Sequence, residues 1–145
     1  MKTGAVKAVI GSLQQDKKRL DTLIAILEQQ YQAMSERKSQ LLEQLNQQAT
    51  ALLDQLKVSH QQRDSDFTLL GLEQNKTGMQ KLADALPPHL RQPVQLLLHE
   101  LSLKSQLCHS LNEKNGKLLA AQRELLNKLT GQSMQNHYPD LPFSR

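Results

Sequence analysis

The chain has 145 residues, a formal net charge of +4, aromatics at 3% and no Trp. That is one domain's length of chain, but it has too few aromatic side chains for a thick globular core, and its wealth of Leu and Gln predicts an all-α protein of long helices. The cations are dispersed among anions, Lys17, Lys18 and Arg19 forming the one basic run of three; this gives neither the basic stripe nor the stacking aromatics of a nucleic-acid binder, nor a basic amphipathic helix for a membrane surface.

Met1 to Leu13 is mildly apolar, but Lys7 interrupts it and no small-residue cleavage site follows, so it does not read as a signal peptide. No apolar segment approaches the length that spans a bilayer, and the single Cys108 excludes an internal disulfide. These features predict a soluble, cytoplasmic protein.

From Val6 the apolar positions Val9, Leu13, Leu20, Ile24, Leu27, Tyr31 and Met34 recur at helical spacing, with Leu23 beside them. The pattern resumes as Leu41, Leu42, Leu45, Ala49, Leu52, Leu53 and Leu56, with Lys38 in the seam between the two runs. Ser35 and Ser39 flank that lysine and favour a helix break. An unbroken rod from Val6 to Arg63 would be about 85 Å long; a fold-back near Ser35 makes a stubbier bundle.

Phe67 to Leu72 contains Gly71, a natural helix stop, and Asn75 or Thr77 can cap a short element whose buried face is Met79, Leu82, Ala83 and Leu86. Pro87 and Pro88 end that element, and Pro93 suits the first turn of the next.

Leu90 to Leu129 is the most regular stretch. Leu90, Val94, Leu97, Leu101, Lys104, Cys108, Leu111, Asn115, Leu118, Gln122, Leu125 and Leu129 alternate steps of four and three as a heptad seam. Leu98, Leu107, Leu119 and Leu126 widen the apolar stripe, which predicts packing against more than one neighbour. Asn112, Asn115 with Gly116, and Gln122 interrupt this face. The heptad phase passes through Asn115 and Gly116 unchanged, which argues against a turn there. Two readings remain: a register-setting amide with a glycine at a close helix contact, or a face that receives a helix from another protein.

Gly131 ends the helix, and residues 132–145, with Pro139 and Pro142, lack helical periodicity. This tail holds Met134, Tyr138, Leu141 and Phe143, and reads either as a frayed end or as a linear docking motif. No two of His60, His89, His99, His109 and His137 lie four apart, and no phosphate-cradling glycine loop or catalytic grouping stands out, so neither a metal, nor another cofactor, nor an enzyme is expected.

The run from Cys108 to Leu119, with Asn112, Asn115, Gly116, Leu118 and Leu119 in the pattern Asn-x-x-Asn-Gly-x-Leu-Leu, resembles the signature of FlgN-type flagellar export chaperones. Leu69 to Leu72, followed by Gly78, Met79, Leu82, Ala83, Leu86 and Pro87, is similar to the middle of that family, so the resemblance covers about Leu20 to Tyr138. It implies an elongated antiparallel helical bundle or coiled-coil hairpin, with a chaperone domain over residues 1–131 and a flexible tail over 132–145. It also implies a cytoplasmic chaperone of type III export whose clients are the C-terminal helices of hook-associated proteins 1 and 3. The client surface would fall on Asn112, Asn115, Gly116, Leu118, Leu119, Leu126 and Leu129, with Tyr138 docking at the export gate and its ATPase complex. Tyr138 is followed by Pro139 and Asp140, where the family usually has a nearby glycine. A structural coiled-coil or scaffold protein without a client is the competing expectation.

Overall fold

The computed structural model describes residues 2–130, and all regular structure among them is helical: α1 (Thr3–Ser35), α2 (Ser39–Leu69), α3 (Lys76–Asp84) and α4 (Pro88–Thr130). The first long run of leucines does fold back after Ser35. The break is a Schellman turn, in which the Lys38 amide donates to the Ala33 carbonyl (2.8 Å) and the Arg37 amide to that of Met34 (3.2 Å). Arg37 takes the left-handed position of this turn at φ 56°, where glycine is usual and other L-residues are disfavoured by about 1–2 kcal/mol. α2 ends in the same motif, with Gly71 at φ 70° and the Leu72 amide bonded to the Phe67 carbonyl.

Consecutive long helices are antiparallel, so α1 and α4 run parallel. Lys17 pairs with Glu100 and Lys104 with Asp21 along that contact, which gives the seam lysine its partner. α1 is the central helix. It packs along its length against both α2 and α4, and Ala5, Val9, Leu13, Asp16, Leu20, Leu23, Leu27, Gln30 and Met34 form its unbroken buried seam. Ile24 and Tyr31, placed on the seam by leucine spacing, are half-buried flanking residues instead. The main core joins Leu20, Leu23, Ile26 and Leu27 of α1 to Leu45 and Ala49 of α2 and Cys108 of α4. Burial holds the Cys108 thiol neutral, with its pKa pushed up to about 11.

α3 closes the lower end. Asn75 caps it by accepting the Gly78 amide at 2.7 Å, and Leu82, Ala83 and Leu86 are buried beneath it. Gly78 has to be glycine, since a Cβ there would lie 1.7 Å from the Glu73 carbonyl oxygen. α4 begins two residues earlier than the leucine pattern predicts, so Pro93 stands inside the helix rather than in its first turn. The wide stripe on α4 is only partly used: the helix packs on α1 and touches α3 at its base, leaving Leu96, Leu103 and Leu107 exposed on the outer flank.

Two polar layers cross this core. In the lower one, Arg63 of α2 reaches Asp16 and Ser12 of α1, Ser59 of its own helix and Gln74 of the following loop, while Ser59 and Arg19 also donate to Asp16. Asp16 and Arg63 are buried, so this is an interior ion pair held in a hydrogen-bond network. The upper layer is a ladder of amides. Gln30 of α1 donates to Asn46 of α2 at 2.9 Å, and Asn115 of α4 donates to the Leu27 carbonyl at 2.9 Å and to Gln30 at 3.2 Å.

Candidate partner-binding surface

The upper amide layer sets where α4 lies along α1. Asn115 is 0% exposed and spends both amide hydrogens on α1, so it is the register-setting amide of the seam, and Asn112 is buried beside it. Their side chains are held in the interior of the chain's own bundle. Two turns further on, Gln122 donates to the Met34 carbonyl at 2.7 Å and so bonds to the last turn of α1.

Beyond Gln122 the support from α1 ends. α1 stops at Ser35, whereas α4 continues to Thr130, so its last two turns project past the α1–α2 hairpin. The seam and its flank continue to place leucines on this overhang where α1 no longer lies opposite: Leu125 is 46% exposed, Leu126 40% and Leu129 74%. Together with half-buried Leu119 below and Met34 and Leu42 on the hairpin, they line an open cavity of about 210 Å³. Arg37, Lys38 and Ser39 of the hairpin turn complete its wall. Leucine spacing could point to the α4 half of this surface but not to the hairpin half, because Arg37, Lys38 and Leu42 reach it only through the fold-back.

Leu118, Leu119 and Gly116 lie just below the overhang and are half-buried. Gly116 is not at a close helix contact: a Cβ built there meets nothing within 4 Å. That corrects the expectation that tight packing within the chain demands this glycine. A glycine inside a helix costs about 1 kcal/mol against alanine, and here no intramolecular contact offsets it. Tyr138 lies outside the described residues.

The electrostatics of the surface are mixed. At the hairpin turn Lys38 pairs with Glu36 at 2.7 Å, and its hydrogen bond, followed by that from Gln32, lowers the pKa of the Glu36 carboxyl. On α4, Lys114 lies 4.0 Å over the Tyr31 ring and Lys128 pairs with Glu124. Among the described residues no cluster of three His, Cys, Asp or Glu could hold a metal, and no helix is long and apolar enough to cross a membrane. The chemistry on offer is apolar docking with a polar, partly cationic margin.

Comparison with known proteins agrees with this architecture. The sequence model of a family described as FlgN protein matches residues 1–138. Among solved structures, a chain given as a flagella synthesis protein FlgN of Pseudomonas aeruginosa superposes with a TM-score of 0.68 at 21% identity, covering 82% of this chain and 93% of its own. At that identity it speaks for the fold. No curated protein matches the sequence. A family match over nearly the whole length, together with the shared helical architecture, means that the chain belongs to the FlgN family, a family of flagellum-biogenesis chaperones.

Proposed function

We propose that this chaperone holds the C-terminal helices of hook-associated proteins 1 and 3 on the overhanging end of α4, in the cytoplasm, and keeps them from assembling before export. The observation that carries the reading is the exposure of Leu125, Leu126 and Leu129 above a cavity floored by Met34 and Leu42. An amphipathic helix laid there would bury three leucines that are exposed among the described residues, at roughly 25 cal/mol for each Å² covered. Leu118, Leu119 and Gly116 extend the same surface downward, and the bare backbone at Gly116 gives a second helix room to approach closely. Asn112 and Asn115 serve it indirectly, by fixing how far α4 projects. Tyr138 is assigned to docking at the export gate and its ATPase complex, a role separate from client holding. Neither step calls for a cofactor or for catalysis by this chain.

The test is a titration of the purified C-terminal segments of the two hook-associated proteins against the full chain and its Leu126→Asp/Leu129→Asp variant. Two carboxylates facing an apolar helix should weaken binding by about 100-fold or more. Unfolding stability should change by only about 0.5 kcal/mol, since both side chains are already solvated. Equal binding by wild type and variant would move the client surface elsewhere, and binding by neither would favour a structural bundle without a client.

A further inference from the structure

The two long hairpin helices end in the same backbone motif but fill its left-handed position differently. α2 uses Gly71, which adopts φ 70° without strain; α1 uses Arg37, which does not share that freedom. No contact among the described residues accounts for the arginine. Among the described residues its side chain makes no hydrogen bond, ion pair or ring contact, and the neighbouring anion is already taken, because Glu36 is held by Lys38 and Gln32. A strained backbone position held by a side chain without a partner among the described residues is a reason to look for one outside the bundle. Arg37 lies on the wall of the cavity that also holds Leu119, Leu126 and Leu129, where an uncommitted cation borders an apolar docking surface.

We infer that Arg37 is a recognition residue for a carboxylate side chain, and that the partner on the overhang is an amphipathic helix with an Asp or Glu at the edge of its apolar face. The inference rests on the client-holding reading above and adds its chemistry. Arginine suits the task because its planar fork donates two parallel hydrogen bonds to a carboxylate, and the adjoining leucines thin the water around the pair. A second copy of this chain is a poor occupant, because it would bring another Arg37 and Lys38 toward this margin.

The substitution that tests the inference separates binding from folding. Arg37→Gly removes the cation and relieves the backbone, so the midpoint of urea unfolding should hold or rise while affinity for the client segment falls about tenfold. Arg37→Lys should lose less, because it keeps the charge without the fork. Binding by Arg37→Gly should also be less sensitive to added salt than binding by the wild type. On the other side of the pair, replacing the segment's Asp and Glu residues one at a time by Asn and Gln should identify one whose loss matches the tenfold effect and adds nothing to Arg37→Gly. Amidating the segment's terminal carboxyl should change nothing. Undiminished binding by Arg37→Gly, alongside the expected loss in Leu126→Asp/Leu129→Asp, overturns the inference and leaves the client surface standing. Loss on amidation alone overturns it in favour of the chain terminus, and a fall in both stability and affinity gives Arg37 a structural role.

Discussion

The lower and upper ends of α4 have the same leucine spacing and opposite fates. Around Val94, Leu97 and Cys108 the seam is buried against α1, whereas at Leu125 and Leu129 the same seam stands in water. The cause is the length of the neighbour. α1 spans 33 residues and α4 spans 43, roughly 50 Å against 65 Å of helix, and the parallel alignment set by Lys17–Glu100, Asp21–Lys104 and Gln30–Asn115 puts the surplus at the C-terminal end. Burial on a heptad seam is therefore a property of the pair of helices. A helix that outlasts its partner presents a ready-made apolar strip for another chain, and the bundle below can be built for stability without compromising it.

If that division holds, the two ends can be damaged independently. The largest effect should come from the lower polar layer. Asp16→Ala leaves the buried guanidinium of Arg63 without its counter-charge, and breaking such a pair costs about 3–5 kcal/mol. Urea denaturation should show that loss, while the fraction still folded binds the client segment with unchanged affinity. A parallel loss of affinity in the folded fraction would mean that the two ends are coupled.

A smaller effect of opposite sign sharpens the comparison near the border between the ends. Gly116→Ala should stabilise the chain by up to about 1 kcal/mol, since the added methyl meets no neighbour and the helix gains a better former. The same methyl should weaken client binding, because it stands where a second helix would approach. Stability and affinity moving in opposite directions is the signature of a position kept for a partner, and a joint rise would return Gly116 to the surface of an isolated bundle.

Much of the fold could be read from residue order because its signals are local. The stop at Gly71, a cap at Asn75 or Thr77 and the restart after Pro87 each depend on a few adjacent side chains and the backbone they favour, whereas spacing left the rod and the fold-back at Ser35 both open. The long-range polar contacts could not. Asp16 and Arg63 are 47 residues apart and become partners only once α2 has turned back, and Gln30, which no local signal singles out, is the amide that joins all three long helices. Asn115 was legible as a seam amide, but whether it faced the chain itself or a partner depended on the end of α1. The candidate surface divides in the same way: its leucines follow from periodicity, and its cationic margin from the hairpin geometry.

Amide hydrogen exchange along the chain, measured with and without the C-terminal segment of hook-associated protein 3, tests the central claim most directly. The leucines of the overhang are exposed and α1 does not reach them, so the account predicts fast exchange from Arg123 to Thr130 in the free chaperone and strong protection there, and at the hairpin turn from Ser35 to Leu42, once the segment is bound. Protection that instead falls along the outer flank of α4 at Leu96, Leu103 and Leu107, with the overhang unchanged, would contradict it.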